Sequence, residues 1–281
     1  MMGPRPMAEI DYTAVRRYWS NARPSILGPY MMDGFGFPPA AGLFRFKAEQ
    51  RIVQGLVQGL DRAGTVLDLG SGIGFWAAAF ARQFAQVVAV EASPALCDAL
   101  RERCAPHANV RVVQQDVLSF EPDGSYELVF LGGMLMYLND REVIALLRKI
   151  VPRLTPGGMI LCRETTVRKG VVTRSGEYQA TYRSIGVYRR LFAECRLSAS
   201  QIEPNAPYVL LQLGCELMKK WQAVTPPQLR ELDGLLGRLV YWGLRLGNPW
   251  ILRIPDALWY ESPQWLNHFF VLGPDVAHDR A

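Results

Sequence analysis

Of 281 residues, only three are histidine and five are cysteine. The cysteines (Cys97, Cys104, Cys162, Cys195, Cys215) are odd in number and form no C-x-x-C pair, and His107, His268 and His278 are scattered. This spacing argues against a metal site and against a disulfide scaffold, and fits a reduced, cytoplasmic chain. No uninterrupted apolar run reaches about 18 residues, the length a membrane-spanning helix needs. The opening MMGPRPMAEIDYTAVRRYW has no apolar core followed by a cleavage site, so it does not read as a signal peptide. Lysine is scarce as well, and arginine supplies most of a net charge of +5. The basic residues form no block and alternate with acids, as in Arg101-Glu102-Arg103. That pattern argues for a solvated surface and against a nucleic-acid partner.

What is present is apolar: 49% of the chain, enough for one large domain with a substantial core. Its periodicity alternates. Residues 51–60 place Ile52, Val53, Leu56, Val57 and Leu60 on one helical stripe. Buried strands are predicted at 66–69, 86–91, 110–113, 126–131 and 159–163. Helices are predicted at 75–83, from Ser93-Pro94 to about 104, and at 140–154. Strands alternating with helices in this way build a parallel sheet covered on both faces. Beyond residue 170 the rhythm changes: a helix at 185–195, a strand at 197–203, a stretch at 204–263 with no clear strand, and a last strand at 265–272. The expected organisation is an N-terminal cap (1–50), a core (51–203 with 264–275) and a helical insertion (204–263).

The stretch TVLDLGSGIGFWAAAFAR (65–82) joins the first strand to the next helix through Gly70, Gly72 and Gly74. In an open α/β sheet, ligands sit beyond the carboxyl ends of the strands. Glycines there admit close backbone approach, and the following helix N-terminus suits an anion. Both a dinucleotide and S-adenosylmethionine (SAM) meet these requirements. A dinucleotide fingerprint counted from Gly70 needs a small residue where Phe75 stands. Counted from Gly72 it ends acceptably at Ala77, but one turn late. Asp68 would also repel a pyrophosphate, whereas the ammonium of SAM tolerates an acid.

Here the sequence resembles the Rossmann-like (class I) SAM-dependent methyltransferases. VLDLGSGIG resembles their first motif, and VVAVE puts Glu91 where an acid accepts hydrogen bonds from the ribose hydroxyls. Asp116 resembles the residue that meets the adenine amine, with Val117 beside it. Residues 126–140 resemble the fourth-strand motif, with Gly132 near the methionine part of SAM. LTPGGMIL resembles the turn before strand five. The resemblance implies an α/β fold with a mostly parallel seven-stranded sheet, helices on both faces, an N-terminal helical cap and a helical insertion before the last strand. It implies Asp68, Gly70, Gly72, Glu91, Asp116, Val117 and Gly132 at the cofactor, and methyl transfer to oxygen or nitrogen of a small or lipid-like acceptor. A SAM-binding protein with a regulatory or non-methyl-transfer role is the alternative.

Many relatives carry a histidine before the tyrosine at the end of strand four, whereas this chain has Met136 before Tyr137. Glu164 is then the expected base or acceptor-orienting residue, with Tyr137 as a wall or hydroxyl donor. Tyr178, Tyr182 and Arg183, in a loop at 176–184, and Tyr30 in the cap are expected at the acceptor, beside Tyr18 and Trp19. The run DGFGFPPAAGLFRF (33–46) suggests a lid. Residues 229–254 set Arg238 and Arg245 seven apart among Leu, Val and Trp. That composition fits either a lid packed on the domain or a helix in peripheral contact with a membrane.

Overall fold

Val66, Leu67 and Leu69 are buried, as continuous apolar residues between two parallel neighbours must be. The computed structural model describes residues 9–22, 35–251 and 263–275. Its strands are β1 (Thr65–Leu69), β2 (Gln86–Glu91), β3 (Val110–Gln114), β4 (Tyr126–Leu131), β5 (Leu154–Val167), β6 (Val171–Arg174), β7 (Ala180–Ser184), β8 (Leu197–Pro204) and β9 (Leu266–Pro274). Its helices are α1 (Tyr12–Ser20), α2 (Ala40–Leu56), α3 (Phe75–Ala81), α4 (Pro94–Cys104), α5 (Asp140–Ile150), α6 (Ile185–Glu194), α7 (Ala206–Val224) and α8 (Asp233–Ile251).

The order β3-β2-β1-β4-β5 is parallel throughout, with Val66 opposite Val87 on one side and Leu128 on the other. β9 continues from β5, and β8 from β9, which completes the seven expected strands. Two more belong to the sheet. β7 joins the far end of β5 through Thr166 and Val167, and β6 lies antiparallel to β7. The sequence reading ended β5 at residue 163 and made 176–184 a loop. Glu164 looked like a strand end, yet the β-branched residues Thr165, Thr166 and Val167 carry the strand onward.

The chain divides into two compact units. Of the described residues, 9–22, 59–203 and 268–275 form the first, which contains the parallel strands. Side chains alternate across this sheet. Leu67, Leu69, Val129, Leu131, Ile160 and Phe270 share a core with α5 and α6. On the other face Phe130 meets Trp76 and Phe80 of α3, with ring centroids 4.9 and 5.2 Å apart.

Residues 35–58, 204–251 and 263–267 form the second unit. Residues 40–46 of the expected lid at 33–46 are the start of α2 there, and residues 33 and 34 lie outside the described ones. The helical period is hidden in the sequence because Arg45 and Glu49 sit on the buried face, paired at 2.6 Å. Asn205 Nδ2 donates to Glu49 Oε1 (2.6 Å) and to Asn267 Oδ1 (2.8 Å), while its Oδ1 caps α7 at the Tyr208 amide. All of Asn205 is buried. Asn205→Ala is expected to destabilise the chain by about 2–4 kcal/mol in urea unfolding, because it removes a cap and leaves a buried carboxylate short of a donor.

Candidate functional site

The candidate site lies at the strand ends. β1 stops at Leu69, and Gly70, Gly72 and Gly74 all take left-handed backbone angles (φ 71°, 56° and 83°). The three differ in what surrounds them. A Cβ on Gly70 would meet Met134 Cγ at 2.9 Å, and one on Gly74 would meet Leu100 Cδ1 at 2.6 Å. Those two glycines permit close packing. At Gly72 no atom of the other described residues, its two chain neighbours apart, lies within 4 Å of a Cβ position, so the loop is open there.

The loop is held from β2. Glu91 Oε2 accepts from the Gly72 amide and Oε1 from the Ser93 amide, both at 2.8 Å. Burial raises the Glu91 pKa, and the amides oppose that rise. Gly70 and Ser71 donate to the Val90 carbonyl at 2.9 and 3.0 Å. Beneath them Asp68 is buried, and its Oδ2 has no hydrogen-bond partner among the described residues. Burial pushes the Asp68 pKa up to about 7; Ser71 opposes the shift and the Glu91 charge adds to it. At the end of β3, Asp116 Oδ1 accepts from the Leu118 amide (2.9 Å), and its Oδ2 lies 3.4 Å from Arg16 of α1. Val117 packs against the sheet core. Gly132 follows β4 immediately, with Phe130 where a Cβ would point.

Glu164 and Arg183 have other employment than the sequence suggested. Glu164 is fully buried, below the turn that follows β4. Its Oε1 accepts from the Met134 and Leu135 amides at 3.1 and 3.0 Å, and Tyr188 donates to Oε2 at 3.4 Å. Burial raises its pKa to about 7 against the pull of those amides and of the nearby arginines. Arg183 is also fully buried. Its Nε donates to Asp140 (2.8 Å), one terminal nitrogen to the Leu135 carbonyl (3.0 Å) and the other to Leu138 (2.6 Å). Together they fix the turn at 134–138 by its amides and its carbonyls.

That turn presents Tyr137. Its hydroxyl lies 3.0 Å from that of Tyr178, to which Tyr182 donates at 3.4 Å. α1 brings two further rings, Tyr18 edge-on to Tyr178 at 5.1 Å and Trp19 edge-on to Tyr137 at 5.5 Å. Tyr12 anchors the start of α1, accepting from the Asn139 amide and donating to Glu142, each at 2.9 Å. Ser93 ties its end through the Trp19 carbonyl at 3.1 Å. Arg174 of β6 lies over the Tyr178 ring at 5.1 Å. Sequence reasoning did not select it, because its approach depends on the β6–β7 pairing. Burial drives the Tyr137 and Tyr178 pKa values well above the ordinary phenol range. Tyr30 lies outside the described residues. Among the described residues no cluster of histidine, cysteine or acid could hold a metal ion.

Because burial raises the Asp68 pKa above its unfolded value, the folded chain binds this proton more tightly between pH about 4 and about 7. Its contribution to stability therefore falls as pH rises through that window. Asp68→Asn is expected to be more stable than wild type at pH 8, by roughly 1–3 kcal/mol, with the gap closing below pH about 4. Thermal melts followed by circular dichroism across pH measure this, with Glu164 retaining part of the slope.

Residues 66–158 match the methyltransferase-domain family. Phosphoethanolamine N-methyltransferase 1 of Triticum aestivum is 33% identical over 135 residues, which are 47% of this chain and 27% of the wheat protein. The matched stretch thus spans under a third of that relative's length. A SAM-dependent methyltransferase of Leishmania major shares the fold at TM-score 0.60 and 14% identity, covering 92% of this chain and 82% of that one. Phosphoethanolamine N-methyltransferase 1 of Haemonchus contortus, solved with phosphoethanolamine and S-adenosylhomocysteine, shares it at TM-score 0.60 and 15% identity, covering 94% and 49%. With the glycine loop, the acid ending β2 and the strand order seen above, residues 66–158 carry a methyltransferase domain, and the chain has the Rossmann-like fold of the SAM-dependent methyltransferases.

Proposed function

We propose that the chain transfers a methyl group from SAM to a small acceptor, and that the acceptor atom is an amine nitrogen. The observation that carries the first part is the Asp68 oxygen without a partner among the described residues, buried near the end of β1, two residues before the glycine loop. A buried carboxylate in that state suits a ligand with a positive end, such as the ammonium of SAM. Glu91 keeps lone pairs for ribose hydroxyls beside the two amides it already accepts. Asp116, Val117 and Gly132 stand at neighbouring strand ends, where the adenine and methionine parts would be held.

SAM supplies an electrophilic methyl carbon on a sulfonium sulfur. Displacement at that carbon is in line, so the chain's principal task is alignment. Tyr137 and Tyr178 remain protonated near neutral pH and can donate hydrogen bonds, but they cannot withdraw a proton from a hydroxyl acceptor. Glu164 is engaged beneath the turn. An amine that arrives unprotonated needs no strong base, and the edge-packed aromatic rings suit the cationic product of its methylation. The acceptor named for the wheat enzyme, phosphoethanolamine, is such an amine. For an acceptor's anionic part, Arg174 is the cation beside the rings.

Incubation with methyl-labelled SAM and either phosphoethanolamine or a panel of hydroxyl acceptors tests both parts. Label in the amine alone supports the proposal. Label only in hydroxyl acceptors overturns the nitrogen assignment, and failure of SAM to bind in calorimetry overturns the whole. Gly72→Val is expected to weaken SAM binding at least tenfold, since a β-branched residue in the left-handed region costs about 1–3 kcal/mol and fills the open side. Tyr178→Phe is expected to raise KM for the acceptor about tenfold while SAM affinity holds, the signature of a lost acceptor hydrogen bond.

A further inference from the structure

The outer side of α8 is apolar and uncovered. Leu235, Leu239, Trp242 and Leu246 retain between 49% and 76% of their accessible surface. Spacings of four, three and four residues put them on one stripe. The opposite side of the helix is the buried one, with Tyr241 and Leu244 packed inward. After Asp233 the helix contains no acid, and Arg238 and Arg245, both exposed, flank the stripe. Arg245 lies over the Trp242 ring at 5.0 Å. α7 repeats the pattern on a smaller scale: Leu217 and Val224 are exposed seven residues apart, with exposed Lys220 between them.

We propose that the stripe of α8 lies on a bilayer surface containing anionic phospholipid. Apolar side chains edged only by cations match acyl chains beneath anionic headgroups, and tryptophan is the residue favoured at that boundary. A second copy of the chain is a poorer match. Two such helices face to face would bring arginines together, with no acid on either stripe to meet them. No described helix is long and apolar enough to cross a membrane, so the contact is one of lying on the surface. This inference does not rest on the methyl-transfer reading.

Flotation of the full chain decides it, using vesicles of phosphatidylcholine alone and vesicles of phosphatidylcholine with phosphatidylglycerol. The chain is expected to float with the second at low salt, to stay behind with the first, and to lose binding as salt screens the arginines. Arg238→Gln and Arg245→Gln are each expected to weaken binding about fivefold, the equivalent of about 1 kcal/mol per basic residue near an anionic surface. Leu239→Glu with Leu246→Glu is expected to abolish flotation while far-ultraviolet circular dichroism and SAM affinity are unchanged. Wild type that ignores anionic vesicles at low salt overturns the proposal, as does a double leucine variant that floats like wild type. A wild-type dimer that the leucine variant converts to monomers in sedimentation equilibrium also overturns it, and gives the stripe to a second copy.

Discussion

Backbone amides at the carboxyl ends of a parallel sheet must be satisfied although no neighbouring strand reaches them, and this chain satisfies several of them with buried carboxylates. Glu91 holds the Gly72 and Ser93 amides, and Glu164 holds those of Met134 and Leu135. Glu127, farther down the sheet, takes the Asp61 amide at 3.0 Å and the Thr155 hydroxyl at 2.5 Å. Without Glu164 the turn at 134–138 would lose the partner of its Met134 and Leu135 amides, and without Arg183 the guanidinium on its Leu138 carbonyl, at roughly 1–3 kcal/mol for each group left buried and unpaired. The position of Tyr137, and so of the aromatic cluster, depends on that pair of charges.

The parallel core was legible because its signals are local. Val66–Leu69 and Tyr126–Leu131 are apolar runs of strand length, the glycine loop announces its own backbone angles, and Glu91 ends a strand whose limits are clear. Partners distant in sequence were not legible. Glu164 meets amides 29 and 30 residues away, and Arg183 meets carbonyls 45 and 48 away. In one dimension both look like free charges beside a ligand, because nothing in the sequence distinguishes a charge facing solvent from one beneath a turn. The β6–β7 ribbon was missed for a related reason. A strand pair of four and five residues has too few alternations to stand out from a loop. In α2 the Arg45–Glu49 pair puts charge where the apolar stripe should continue, and the period is lost.

Asp68 and Glu91 show how the two roles of an acid divide in one site. Glu91 gains two amides on burial, so its charge is partly compensated inside the chain. Asp68 keeps an oxygen with no partner among the described residues, and its pKa rises to about 7. A group left in that state makes the folded chain less stable than a neutral isostere would, and native structures retain such groups mainly where a ligand completes them. The destabilisation is localised near the end of β1, where the glycine loop begins.

The proposed displacement at a methyl carbon would need direction more than proton transfer, and the aromatic cluster fits that demand. The tyrosine hydroxyls bond to one another, and burial keeps those of Tyr137 and Tyr178 protonated. In the proposed reaction they would fix where an acceptor sits without raising its nucleophilicity. Each ring is positioned by an element with its own anchor: Tyr137 by the clamped turn, Tyr178 and Tyr182 by the ribbon paired to β5, and Tyr18 and Trp19 by a helix tied at both ends. Misplacement by about 1 Å in such an arrangement costs on the order of a hundredfold in rate. Under the proposed methyl transfer, the buried charges that hold these anchors would act on the reaction through geometry.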